Sequence, residues 1–271
     1  MELVRVDPPG CDLSLVRRPP PGGRPAAGCV LFLHGLGDAS SMFAPALEEP
    51  ALAPYEVALV DLLGHGTSDK PLNFDYSPAS HAAVLFALAQ KAGLAQPMHL
   101  VSFSFGGAVA VELARFEPLR VQALVLCEPA LEEERMSFAR LVVARPEQDF
   151  VEDYAEFLAS FATPDAPEAD RRWAETAAFA SARSIWRSSS AALAAARRGE
   201  LVAHLEEHRG PKVLILTPDT VDKWGRAQRL KAGGARVFQV PSASKMPMYD
   251  AQAAFYGAVA RALPAAGPQS S

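Results

Sequence analysis

At 271 residues the chain is long enough for one large α/β domain or two small ones, and with 49% hydrophobic residues it can bury a substantial core. A formal charge of −5 gives no electrostatic reason to expect a nucleic-acid or anionic-membrane partner, and no apolar run approaches the roughly 20 residues of a spanning helix. Cys11, Cys29 and Cys127 are too few and too scattered for a disulfide framework or a metal site, and the strand-like, charged opening Met1-Glu2-Leu3-Val4-Arg5-Val6-Asp7 does not read as a leader, so a cytoplasmic protein is expected.

Residues up to Arg18 can supply one or two short antiparallel strands. Pro19-Pro20-Pro21-Gly22-Gly23-Arg24-Pro25 then reads as a surface turn, because proline withholds the N–H that a ladder needs. From Gly28 onward short apolar runs alternate with helical stretches. The runs are Cys29–Leu33, Val57–Val60, Met98–Val101, Val121–Leu126, Val213–Leu216 and Ala235–Val240. Each is continuous rather than alternating, as expected of strands buried on both faces of a parallel sheet. Helices are expected over Pro78–Gly93, Phe105–Phe116, Val221–Gly233 and Met248–Leu263. Strand, crossover and strand repeated in this way predict an α/β fold, a mostly parallel sheet with helices on both faces.

The repeat breaks between Leu131 and Arg209, where no convincing strand appears and charged-faced helical sequence takes over. Residues 131–209 are therefore expected to form a helical lid over the carboxyl edge of the sheet, with 1–130 and 210–263 as the core and 264–271 as a disordered tail. Phe150, Tyr154, Phe157, Phe161, Trp173, Phe179 and Trp186 are available to line a pocket, although packing of the lid on itself accounts for any single one of them.

Three motifs carry chemistry. The strand-end pair in Leu33-His34-Gly35-Leu36-Gly37 allows a tight turn that exposes backbone N–H groups. The loop Asp61-Leu62-Leu63-Gly64-His65-Gly66-Thr67-Ser68-Asp69 combines turn-forming glycines with an aspartate and a serine that hydrogen-bond locally. In Leu100-Val101-Ser102-Phe103-Ser104-Phe105-Gly106-Gly107-Ala108 an apolar strand turns through small residues into an alanine-rich helix, which lifts the Ser104 hydroxyl out of the sheet. Ser104 rather than Ser102 is the nucleophile candidate, since Gly106 and Gly107 then open the helix.

In their order and spacing these motifs resemble the lid-bearing branch of the α/β-hydrolase superfamily, over about Gly28 to Leu263. The resemblance implies a serine nucleophile at Ser104, an oxyanion hole made by the amides of Leu36 and Phe105, and an architectural aspartate loop with His65 near the mouth of the site. It also implies an acid after the strand Val213–Leu216, where the chain reads Thr217-Pro218-Asp219-Thr220-Val221-Asp222. Either Asp219 or Asp222 could serve, and Asp222 is favoured if the loop holds one extra residue. The departure from the family is the base. Its G-H-x-P motif corresponds here to Ser244-Lys245-Met246-Pro247, and none of the six histidines (His34, His65, His81, His99, His204, His208) follows the last strand. A lysine at an unperturbed pKa of about 10.4 is a poor base near neutral pH, burial lowers it, and a neighbouring carboxylate works the other way.

Three functions remain. Ser104 attacks an ester, thioester or lactone carbonyl with Lys245 as an altered base. Alternatively the same pocket runs a non-hydrolytic lyase or cyclase reaction, or the chain is a weakly catalytic ligand-binding pseudoenzyme. A small-molecule substrate, no cofactor, no nucleic-acid or membrane partner, and a monomer or homodimer are expected, because no metal-ligand spacing, phosphate-cradling loop or dinucleotide fingerprint occurs.

Overall fold

A computed structural model describes residues 1–264. Eight strands form one sheet in the order β1-β2-β4-β3-β5-β6-β7-β8. They are β1 (Glu2–Val6), β2 (Cys11–Arg18), β3 (Cys29–Leu33), β4 (Glu56–Val60), β5 (Met98–Phe103), β6 (Val121–Cys127), β7 (Lys212–Leu216) and β8 (Arg236–Gln239). The first two pair antiparallel, β2 is antiparallel to β4, and every pairing from β4 through β8 is parallel. Six apolar runs of the sequence thus become the six parallel strands.

Burial on both faces explains why those runs do not alternate. In β3, Cys29, Leu31 and Leu33 point into one core with α1 (Pro78–Ala92) and α2 (Phe105–Phe116), whereas Val30 and Phe32 point into a second core with Phe255 and Val259. The helix α1 starts where it should: the Ser77 hydroxyl accepts the Ser80 N–H at 3.1 Å and Pro78 occupies the first turn. Cys11, Cys29 and Cys127 are free and buried, and burial raises the thiol pKa of each.

Between β6 and β7 the described chain is helical: α3 (Ser137–Val143), α4 (Glu147–Glu152), α5 (Tyr154–Ala159), α6 (Glu168–Ala177), α7 (Ala182–Arg197) and α8 (Glu200–Glu207). Two small apolar clusters hold this insertion together, one around Phe150 and Ile185 and one around Trp173. Other parts of it join the main core, including Ala139 of α3 and Ala192, Leu193 and Ala195 of α7. Leu201, Val202 and Leu205 of α8 belong to the main core, and His204 Nδ1 meets Glu112 of α2 at 2.9 Å. With Leu131 and Met136 also in that core, the insertion is anchored to the core at both ends.

Two expected helices are each broken into two. The stretch expected over 221–233 is α9 (Pro218–Lys223) followed by α10 (Gly225–Ala232). Trp224 between them leaves helical geometry (φ −95°, ψ 88°) because its ring is buried and its indole N–H donates to Glu132 at 2.5 Å. The stretch expected over 248–263 is α11 (Pro247–Asp250) and α12 (Gln252–Ala262), parted at Ala251. The Asp250 carboxylate there turns back to accept from Ser244 N at 3.1 Å and Ser244 Oγ at 2.9 Å. Of the expected tail, Pro264 is tied down by the Tyr55 hydroxyl on its carbonyl, and 265–271 lie outside the described residues.

Candidate active site

Ser104 is the single residue between the end of β5 at Phe103 and the start of α2 at Phe105. Its backbone sits at φ 50°, ψ −115°, a conformation that a non-glycine residue keeps only when its surroundings over-determine it. Three backbone hydrogen bonds do so: Ser104 N–H donates to Cys127 O at 3.0 Å, and Ser104 O accepts from Gly107 N at 2.9 Å and Ala130 N at 3.1 Å. Gly106 is required for the same turn. A Cβ there would stand 2.4 Å from Leu33 O and 2.7 Å from His34 O, so the helix can approach the end of β3 only without one. The hydroxyl is half-buried, has no hydrogen-bond partner among the described residues, and borders a cavity of about 320 Å³.

Leu36 and Phe105 border the same cavity, and among the described residues neither backbone N–H has an acceptor in the protein. Phe105 is the first residue of α2, where an N–H has no intrahelical acceptor. The loop carrying Leu36 is clamped from the insertion. Trp173 Nε1 of α6 donates to Leu36 O at 2.8 Å, and the indole lies where a Cβ on Gly37 (φ 75°) would be, 2.6 Å from its nearest ring carbon. Phe138 and Phe161 pack on that indole with ring centroids 5.1 and 5.0 Å away. Trp173→Phe keeps the packing and removes the donor, leaving a buried carbonyl unpaired. A cost of about 1.5 kcal/mol is expected, seen as a fall of roughly 3–6 °C in Tm by calorimetry.

His34 is structural. Its Nε2 accepts the Leu62 N–H at 3.0 Å, so the proton is on Nδ1, which donates to Gly35 O at 2.8 Å. Burial lowers its pKa and keeps the ring neutral. His65, expected near the mouth of the site, is instead fully buried against His34 (ring centroids 5.1 Å apart) and does not line the cavity. Burial pushes its pKa well down. The aspartate of that loop holds it closed: Asp61 accepts from Ser40 N at 2.7 Å and Thr67 N at 2.9 Å.

Lys245 reaches the cavity rim from the turn before α11, in the left-handed region at φ 62°. No hydrogen bond joins it to Ser104 among the described residues; Nζ lies 3.7 Å from Asp219 Oδ2. Asp219 is shared, since Lys223 Nζ is 2.5 Å from its other oxygen. The hydrogen bond from Lys223, and then the charges of Lys223 and Lys245, hold the Asp219 carboxyl below its usual range. The preference for Asp222 as the partner of Lys245 is therefore corrected. Pro218 starts α9 immediately after Thr217, so Asp219 in the first turn faces Lys245, and Asp222 is exposed a turn later with no ion pair among the described residues.

Among the cavity residues that the sequence did not single out are Asp38, Glu128, Arg135 and Phe138, and the contact of Trp173 with the Leu36 loop was not foreseen. Glu128 follows β6 at φ 43° and is 7% exposed. Its carboxylate accepts from Thr217 N at 2.7 Å, Thr220 Oγ1 at 2.8 Å and Arg135 Nη2 at 2.6 Å, which ties the ends of β6 and β7 to the insertion. A charged residue directly after the apolar run Val121–Cys127 was the available signal. Asp38 carries no such network: it is 1% exposed, and Oδ1 has no partner.

Comparison with known proteins agrees with this geometry. Residues 30–258 match the model of the alpha/beta hydrolase family. The chain belongs to that family. As an alpha/beta hydrolase family member, it is 35% identical over 101 residues to Lipase 3 of Moraxella sp. (strain TA144), covering 37% of this chain and 31% of the relative. It is 37% identical over 120 residues to Lipase LipV of Mycobacterium tuberculosis, covering 44% and 42%. The chain thus spans less than half the length of these curated relatives. The crystal structure of a hydrolase from Pseudomonas aeruginosa PA01 superposes with a TM-score of 0.73 at 22% identity, over 97% of this chain and 98% of that one, and shares the fold.

Proposed function

We propose that this family member hydrolyses a small ester, thioester or lactone through Ser104. The observation that carries the reading is the half-buried, unpartnered Ser104 hydroxyl on a strained elbow, at a cavity it shares with the unpaired Leu36 and Phe105 amides. Attack by Oγ on the carbonyl carbon places negative charge on the carbonyl oxygen, and preorganised backbone donors are worth several kcal/mol there. Lys245 takes the place of the missing imidazole and, as a neutral amine freed from Asp219, accepts the Ser104 proton. Phe138, Phe161, Trp173 and Met246 offer an apolar wall for the acyl group, with the helical insertion as a lid. The names of the lipase relatives support this reaction class.

One observation favours a second reading. An ammonium held 3.7 Å from a carboxylate has no lone pair with which to accept a proton. With Lys245 as a fixed cation, the pocket suits a lyase or cyclase in which Ser104 hydrogen-bonds and Lys245 steadies developing negative charge, or a pseudoenzyme that only binds. Two measurements separate these readings. Incubation with a fluorophosphonate followed by intact-mass analysis is expected to show one adduct, absent in Ser104→Ala. Lys245→His, which restores an imidazole at a φ that histidine tolerates, is expected to raise turnover of a 4-nitrophenyl ester at pH 7.5 by about 10–100-fold. A wild type without an adduct, together with an inert histidine variant, overturns the hydrolase reading.

A further inference from the structure

Asp38 is out of place for a structural residue. A buried carboxyl in a folded protein is ordinarily paired or hydrogen-bonded; this one receives no ion pair and no hydrogen bond among the described residues, and its side chain borders the cavity. It follows the Leu36 loop directly, and its Oδ2 lies 2.8 Å from where a Cβ on Gly35 would stand, so the carboxyl is packed over the loop that offers the Leu36 amide.

We propose that Asp38 is the acid of the site, the group that protonates the leaving oxygen when the substrate's scissile bond breaks. The proposal rests on the acylation of Ser104 argued above and divides between two side chains what a histidine does alone. Lys245, starting as a neutral amine, takes the Ser104 proton as Oγ bonds to the carbonyl carbon. When the tetrahedral adduct collapses, the C–O bond to the leaving group breaks with its electron pair on the departing oxygen, which receives the Asp38 proton and leaves as an alcohol. Water then attacks the acyl–Ser104 ester, its proton passes to the Asp38 carboxylate, and the bond from the acyl carbon to Oγ breaks. Oγ recovers its proton from Lys245, and the sum is ester plus water to acid plus alcohol.

The surroundings suit that role. Desolvation raises the Asp38 pKa from the usual carboxylate range to about 8, so the group holds a proton at neutral pH yet can release it. The ionisable groups packed about it are Tyr249 of α11, with the Arg172 guanidinium 5.7 Å from the Tyr249 ring centroid, and across the cavity Asp170, Glu134, Lys245 and the Arg135–Glu128 pair. None is paired with Asp38. Burial raises the Tyr249 pKa, so its phenol stays neutral and adds no negative charge beside Asp38.

A carboxyl whose folded pKa lies above its unfolded value is no burden below about pH 4. It progressively destabilises the fold as pH rises from about 4 to 8, and the deficit is constant above that.

The test is Asp38→Asn against wild type on two esters of one acid, an ethyl ester, whose alkoxide needs a proton to leave, and a 4-nitrophenyl ester, whose phenolate does not. The variant is expected to lose about 100-fold in kcat/KM on the ethyl ester and less than tenfold on the nitrophenyl ester, and in wild type the ratio of kcat/KM for the ethyl ester to that for the nitrophenyl ester is expected to fall above about pH 8. The Tm of Asp38→Asn relative to wild type is expected to rise between pH 5 and pH 9. Equal losses on both esters, or a wild-type ethyl-to-nitrophenyl ratio that stays level through pH 9, overturn the Asp38 assignment while leaving Ser104 acylation standing. Absence of a Ser104-dependent nitrophenol release in the wild type instead overturns acylation and the Asp38 role with it.

Discussion

Replacing Ser104 with alanine is expected to lower turnover of a 4-nitrophenyl ester about 1,000-fold, to the level that the amide donors and the cavity sustain alone. The size follows from the number of jobs this oxygen has in the proposed reaction. It forms the covalent bond, and no other hydroxyl among the cavity's lining residues stands on the elbow. The backbone provides an independent check. At φ 50°, ψ −115°, Ser104 holds a conformation that costs a side chain of order 1–3 kcal/mol and glycine far less. Ser104→Gly is therefore expected to lose the same activity while gaining stability, and Ser104→Ala to lose it with no such gain. Steady-state turnover and thermal melting of both variants read this directly. Retention of wild-type turnover within threefold in either variant shows that the reaction does not pass through this serine.

Gly106→Ala is expected to be the most damaging single methyl group near the site. The added carbon would sit 2.4 Å from Leu33 O and 2.7 Å from His34 O, both backbone atoms at the end of a central strand. A flexible side chain could swing aside; β3 is hydrogen-bonded to β4 and β5 on either side and cannot. The helix must yield instead, carrying the Phe105 amide and the Ser104 elbow with it. A loss of about 3 kcal/mol is expected, which for a chain of this length lowers Tm by roughly 6–12 °C. Esterase activity is expected to fall beyond what the stability loss explains. Gly225→Ala serves as the control, since nothing lies within 4 Å of that Cβ position at the start of α10. Its Tm is expected to stay within about 2 °C of wild type. A Gly106→Ala protein that melts like this control would mean that helix α2 does not depend on the close approach to β3.

The residues differ in how far their roles could be read along the chain. Apolar runs without alternation revealed the parallel strands, because burial on both faces leaves no polar position to mark a solvent side. The small residues around Ser104 revealed the elbow, because a turn that tight tolerates little else. The two broken helices were less legible. Trp224 leaves helical geometry for a partner, Glu132, that lies 92 residues away in the chain, and nothing in the local pattern carries that information. The same applies to the site. Asp219 and Asp222 are one helical turn apart, and only the start of α9 at Pro218 decides which of them meets Lys245. Trp173 reads as one aromatic among many until its indole N–H is seen on Leu36 O, 137 residues away.

The sequence alone determined the apolar runs that become the parallel strands, the HG turn and the turn at Ser104, since each depends on neighbours within a few residues. The tertiary structure alone decided which carboxylate faces Lys245, that Glu128 is neutralised by Arg135, and that Asp38 is shut away from water without a partner. Those are matters of desolvation and of charges brought close by distant segments, and neither quantity exists until the chain has folded.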